Sequence, residues 1–275
     1  MNKYFILNGE VKLVDEYNLE AIEKQEGVYE VIRVVEKTPL FAREHVKRLY
    51  KSANLIDLEV NMTEKEILQN ICKLSTINNI EEKNIKLLFT KKGDSYFFFI
   101  KSFYPDEKMV NEGVDTITYK VSRENPNVKY HNTELRASIN KKLKEANAYE
   151  ALLVDDENRV VEGSRSNIFF IKANTLFTAP SSAVLMGITR EKVLEICNDL
   201  KIDVVEKDIF LSELEDFEGV FMTSTSNNVL PIKSIEDIDY SNFNGKLKKI
   251  MTEFSKKMTE DLTEMECICE KIVKE

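Results

Sequence analysis

The chain has 275 residues, 43% of them apolar, with 8 glycines and 5 prolines. That is enough for real cores and too little glycine and proline for collagen-like or long disordered segments. At roughly 150 residues per domain it makes one large domain or two ordinary ones. The net charge of −9, with Lys and Arg scattered among Asp and Glu, argues against nucleic-acid binding, which needs a basic surface.

No stretch approaches the ~20 apolar residues of a membrane span. The opening MNKYFILNGEVKLVDE is too charged, and its apolar run too short, for a signal peptide. A cytoplasmic protein away from membranes is expected. Cys72, Cys197, Cys267 and Cys269 form no CxxC pair. Reduced thiols and no metal site are therefore expected. His45 and His131 are the only histidines, which rules out a multi-histidine metal centre. Both are expected to be structural, His45 packing or hydrogen-bonding within its own helix.

In chain order, Phe5–Leu7 and Val11–Val14 flank Asn8-Gly9, a strong two-residue hairpin signal. Gly27 to Val35 is a β-branched run that reads as a strand. Its alternation sets Tyr29, Val31 and Arg33 on one face and Glu30 and Ile32 on the other. Phe41 to Leu55 has helical spacing. Thr63-Glu64-Lys65-Glu66 is a capping box ahead of a second helix carrying Ile67, Leu68, Ile71 and Leu74. Ile85–Phe89 and Tyr96–Phe103 read as strands.

Val121 to Val128, with Pro126, has linker composition. It suggests an N-terminal α/β domain over 1–120, a linker over 121–127 and a C-terminal domain over 128–275. In the second domain a helix over 132–147 presents Leu135, Ile139, Leu143 and Ala146. Ala151–Val154 pairs with Val160-Val161 around Asp156–Asn158, and Asn167–Ile171 pairs with Leu176–Thr178 around Ala173-Asn174. Thr189 opens a helix, Val204-Val205 is a short strand, and Ser212-Glu213-Leu214-Glu215 caps a turn or two of helix. Gly219–Met222 runs into the hydroxyl-rich Thr223–Ser226. A long terminal helix carries Ile250, Phe254, Met258, Leu262, Met265, Cys269 and Ile272 on one stripe.

Four segments are specific in combination: Lys129-Tyr130-His131-Asn132, Glu150-Ala151-Leu152-Leu153, Glu162-Gly163-Ser164-Arg165-Ser166-Asn167-Ile168-Phe169 and Gly187-Ile188-Thr189-Arg190. In this order and spacing they resemble the class IV, fold-type IV, pyridoxal-phosphate-dependent aminotransferases. That family includes branched-chain and D-amino-acid aminotransferases and aminodeoxychorismate lyase. The resemblance runs from the Asn8-Gly9 hairpin to about Lys233. It implies a two-domain α/β (α+β) enzyme of the D-amino-acid aminotransferase type, working as a homodimer with pyridoxal 5′-phosphate on an amino acid and a 2-oxo acid.

The resemblance also assigns residues. Lys129 becomes the catalytic amine that forms a Schiff base with the cofactor and moves a proton at the substrate. Glu162 faces the pyridine nitrogen. Arg48, in the HxxRL-like run His45-Val46-Lys47-Arg48-Leu49, contacts phosphate together with Ile188, Thr189 and Thr225. Tyr29 and Arg33 line the substrate pocket, Arg33 as a bidentate partner for a carboxylate. Taken alone, a lysine is ordinarily a solvated surface charge, and Thr189 would serve equally as an N-cap.

Release of pyruvate by a 4-amino-4-deoxychorismate lyase needs the same residues and stands as the alternative. A non-catalytic cofactor-binding homologue is disfavoured by the retention of Lys129, Glu162 and Arg48. A Ser–His–Asp hydrolase lacks its GxSxG elbow. The amino donor and its handedness stay open.

Overall fold

The structure, a computed structural model, describes residues 2–121, 133–240 and 245–274. They fall into two compact units. One holds residues up to 103 and from 257 onward, and the other holds the described residues between 104 and 256.

In the first unit β1 (Tyr4–Leu7) and β2 (Glu10–Leu13) form the expected hairpin. Asn8 and Gly9 take the positive φ angles, 51° and 82°, that its two-residue turn requires. A short helix, α1 (Leu19–Glu23), precedes β3 (Gly27–Val35) and β4 (Thr38–Pro39). Then come α2 (Ala42–Asn54), α3 (Glu64–Asn78), β5 (Glu82–Thr90) and β6 (Ser95–Phe99). The strands make one antiparallel sheet in the order β2-β1-β6-β5-β3-β4.

The capping box at Thr63 is present. Its hydroxyl accepts from Glu66 N, and Glu66 accepts from Thr63 N at 2.7 Å. Such a cap stabilises a helix by about 1 kcal/mol. Val46, Leu49, Ile67 and Ile71 of the two helices bury against Val28, Ile32, Leu87 and Phe97 of the sheet. Each such side chain contributes roughly 1.5–3 kcal/mol. The opposite face packs Phe5, Leu88, Tyr96 and Phe98 with Ile22 of α1. Phe41, expected as the first helical residue, instead sits at φ 50° ahead of α2, its N–H donating to Asp261 at 2.6 Å.

In the second unit come α4 (Glu107–Glu112), β7 (Val114–Lys120), α5 (Thr133–Ala146), β8 (Glu150–Val154) and β9 (Val160–Gly163). They are followed by β10 (Asn167–Lys172), β11 (Thr175–Thr178), α6 (Ile188–Asp199) and β12 (Asp203–Glu206). A 3₁₀ turn over Leu211–Asp216 stands where the short capped helix was expected. Then follow β13 (Gly219–Ser224), β14 (Asn228–Ile235) and β15 (Ile238–Asp239).

The sheet runs β12-β11-β10-β13-β14-β7-β8-β9, with β15 on β14. One face packs Ile168, Phe170, Val220, Met222 and Leu230 with Leu214 and Phe217. On α5, Ile139 and Leu143 bury against Ala151 and Leu153, but Ala146 is exposed at the helix end instead of completing the stripe.

The units divide the chain differently from the sequence expectation of 1–120 and 128–275. Residues 104–120 belong to the second unit because β7 pairs in parallel with β8 and β14. The terminal helix α7 (Gly245–Lys274) passes to the first unit at residue 257, where Met265 joins the α2–α3 core. Of the expected linker only Val121 lies among the described residues.

The cysteines also depart from expectation. Cys72 on α3 and Cys269 on α7 form a disulfide with a Cα–Cα distance of 5.4 Å, leaving Cys197 and Cys267 as thiols. A sequence separation of 197 residues hides that pair from any spacing argument.

Candidate active site

In the second unit Glu162, the next-to-last residue of β9, is 5% exposed. Its Oε2 accepts from Leu185 N at 3.1 Å and stands 3.5 Å from Asn167 Nδ2. Asn167 opens β10 and donates from the same Nδ2 to the Leu185 carbonyl at 2.9 Å. One amide thus ties the carboxylate to the segment that leads into α6. Gly187 is the N-cap of that helix, and a Cβ on it would lie 2.2 Å from Asn167 Oδ1. Only glycine lets the helix start come so near.

Gly187 offers no side chain to the first turn of α6, so the amides at Ile188 and Thr189 have no N-cap hydroxyl or carboxylate. Such a terminus suits an anion. Ile188 and Thr189 are both buried. Thr223 on β13 pairs with Asn167 in the sheet register and therefore points to the same face. Its hydroxyl is buried without a hydrogen-bond partner. Thr225 follows in the half-buried turn after β13, while the neighbouring Ser224 hydroxyl is already taken by Asn227 N at 3.1 Å.

Two supports went unseen in the sequence. Glu150 on β8, 3% exposed, takes five hydrogen bonds. Oε1 accepts from Ala151 N, Ser164 N and Ser164 Oγ at 2.8, 3.1 and 2.6 Å. Oε2 accepts from Arg165 N and Ser166 Oγ at 3.2 and 3.0 Å. This cage shapes the loop between Glu162 and Asn167.

Arg190, fully buried on α6, donates to Glu206 at 2.9 Å and to the Ala179 carbonyl at 3.3 Å. Glu206 in turn accepts from Ser181 N at 2.8 Å. The pair fastens both ends of the segment that carries Leu185 and Gly187. Glu150 and Arg190 lie within the motifs, but their side-chain partners Ser164, Ser166 and Glu206 are 14 to 16 residues away and no local pattern announces them.

In the first unit Arg48 on α2 is buried. It forks onto Glu30 of β3, with Nε to Oε1 and Nη2 to Oε2, both at 2.7 Å. His45 reaches the same carboxylate through Nδ1 at 2.8 Å, a bond outside its helix, and also stands 3.5 Å from Arg48 Nη2 within it. Tyr29 and Arg33 do share a face of β3, both half-buried. The Arg33 guanidinium is engaged by Glu82 through Nε at 3.1 Å and through Nη2. On that face Lys86, 2% exposed, stands 4.7 Å from the Tyr29 ring centre and pairs with Glu23 at 2.9 Å. Lys129 and His131 lie outside the described residues.

The second unit suits the cofactor implied by the motifs. An uncapped helix start, a glycine whose Cβ would fill the cradle and an orphaned buried hydroxyl can serve a phosphate ester, and a buried carboxylate can hold a pyridinium N–H. Among the described residues, no helix is long and apolar enough to cross a membrane.

Residues 27–235 match the family model described as amino-transferase class IV. The chain is 33% identical over 228 residues to the D-alanine aminotransferase of Bacillus licheniformis, covering 77% of this chain and 79% of that protein. It superposes on the crystal structure of a putative branched-chain amino acid aminotransferase from Thermotoga maritima with a TM-score of 0.82 at 25% identity, covering 93% of this chain and 96% of that one. The T.th. branched-chain amino acid aminotransferase, solved with pyridoxamine 5′-phosphate, gives a TM-score of 0.82 at 24% identity over 97% of each chain. The mixed α/β architecture is therefore that of the fold-type IV aminotransferases. With the family's motifs on one buried carboxylate and one uncapped helix, the chain belongs to the class IV aminotransferases, enzymes of amino-group transfer.

Proposed function

We propose that the protein moves an amino group between an amino acid and a 2-oxo acid, with pyridoxal 5′-phosphate as cofactor, as a homodimer in the cytoplasm. The observation that carries this reading is Glu162, buried and tied through Leu185 N and Asn167 to the segment that opens α6. The cofactor, when bound, supplies an aldehyde that takes up the amino group and a ring that withdraws electrons from it.

The chain's own residues do the rest. Glu162 keeps a proton on the pyridine nitrogen. The amides of Ile188 and Thr189, the Thr189 and Thr225 hydroxyls and the Arg48 guanidinium bind the phosphate. Lys129 would hold the cofactor covalently and supply the amine that moves a proton at the substrate Cα. Tyr29 and Arg33 face the substrate, Arg33 giving up Glu82 when a carboxylate arrives. The surrounding burial excludes water from Glu162. A cytoplasmic setting fits the thiols Cys197 and Cys267, and the Cys72–Cys269 bond, which a reducing compartment would open, is what tests it.

The experiment is the visible spectrum of the purified protein, titrated with L- and D-amino acids. A shift to the amine form of the cofactor, reversed by a 2-oxo acid, identifies the donor. A spectrum that returns unaided while pyruvate accumulates assigns a lyase instead. No cofactor band after reconstitution sinks the proposal.

A further inference from the structure

We infer that Glu30 is the positioning residue that aims Arg48 at the cofactor phosphate. The inference rests on the reading of Arg48 as a phosphate ligand and names what makes it one. Glu30 is fully buried on the helix-facing side of β3, between Val28 and Ile32, which are equally buried. A carboxylate there has lost its water, and an apolar residue would pack in its place at less cost. Its presence is explained by what it holds.

Arg48 meets it through Nε and Nη2, one bond to each carboxylate oxygen. That fork fixes the plane and orientation of the guanidinium, where a flexible side chain would otherwise sample many. His45, three residues earlier on the same helix, braces the carboxylate from a second side.

Charge and positioning make opposite forecasts here. Glu30 offsets the positive charge of Arg48, so on charge alone its removal strengthens phosphate binding. If its role is to aim the guanidinium, its removal weakens it. Glu30→Gln keeps the volume, adds one positive unit to the net charge and breaks the fork.

The test is a pair of equilibrium titrations of the apo protein, one with pyridoxal 5′-phosphate and one with pyridoxal, which lacks the phosphate. In Glu30→Gln the dissociation constant for pyridoxal 5′-phosphate is expected to rise roughly 10- to 100-fold. That for pyridoxal should move by less than about threefold. Unchanged or tighter pyridoxal 5′-phosphate binding overturns the inference, and so does an equal loss for both ligands, which would mark Glu30 as merely structural.

Arg48→Ala separates this from the underlying reading. If Arg48→Ala keeps the preference for the phosphorylated ligand, Arg48 does not bind phosphate and both ideas fall. If Arg48→Ala loses it and Glu30→Gln does not, only the role of Glu30 falls. The double variant should bind no more weakly than Arg48→Ala, because Glu30 acts through Arg48. Should Glu30→Gln fail to fold, Glu30→Asp, which draws the carboxylate back by one methylene, is read by the same ratio.

Discussion

Asn167 stands so near Gly187 that a Cβ added to the glycine would lie 2.2 Å from Asn167 Oδ1, while the other end of that amide donates to the Leu185 carbonyl at 2.9 Å. The asparagine cannot swing away without giving up its hold on the segment before α6. Gly187 has φ −72°, so alanine meets no backbone objection and the contact alone decides. Gly187→Ala is expected to destabilise the protein by about 1–3 kcal/mol in urea unfolding. In an Asn167→Ala background the added cost should drop below about 0.5 kcal/mol, since the clashing atom is gone. The same cost in both backgrounds would clear Asn167 of excluding the side chain.

Glu150 shapes the other side of the site by taking five donors from four residues. Glutamine keeps one acceptor oxygen and turns an NH₂ toward some of those donors. Glu150→Gln is expected to lower stability by about 1–3 kcal/mol and to loosen the loop between Glu162 and Asn167. Hydrogen exchange at the Arg165 amide, which donates to the carboxylate, checks it. Unchanged protection there would count against the cage.

How far the sequence disclosed this molecule depends on the range of each interaction. The Asn8-Gly9 turn and the Thr63 capping box are local and appear where expected. Motif spacing brought Glu162, Asn167 and Gly187 to notice, and they do stand together in one unit. The central strand β14 is not among the expected strands, and it carries Pro231, which has no N–H. It fits because the pairing to β7 begins only at Ile232. Alternation put Glu30 on the side with Ile32, but its partner Arg48 is 18 residues on, and nothing in a strand pattern predicts a fork. Arg33 shows the converse: a basic residue aimed by motif at a substrate carboxylate is held by Glu82, 49 residues away.

The Arg190–Glu206 pair makes stability depend on pH with a definite sign. Burial pushes the Glu206 carboxyl up, but the Arg190 hydrogen bond and the Ser181 N–H outweigh it and hold the carboxyl below its ordinary value. The folded state therefore releases this proton more readily than the unfolded chain. The stabilisation is present above the unfolded value, about 4.3, and is lost as pH falls through the lower folded value. Wild type should be more stable than Glu206→Gln at pH 7, with the gap closing below about pH 4. A gap that widens in acid would contradict the sign.

The four cysteines give a test that needs no variant. Cys72 and Cys269 are bonded, Cys197 is buried with its thiol pushed up to about 12 by that burial, and Cys267 is exposed. In the native, unreduced protein only Cys267 should react readily with a thiol reagent near neutral pH. Denaturation without reductant should expose the two free cysteines, and reductant should then release the bonded pair. Four thiols in the denatured, unreduced protein would show that the bond does not form where the protein was made. Where it does form, it ties α3 to the terminal helix, and the restraint on the unfolded chain is worth up to about 5 kcal/mol for so long a loop. Cys269→Ser should then lower the urea midpoint of the oxidised protein and leave that of the fully reduced protein nearly unchanged. Equal losses in both states would assign the effect to packing against the α2–α3 core instead of to the bond.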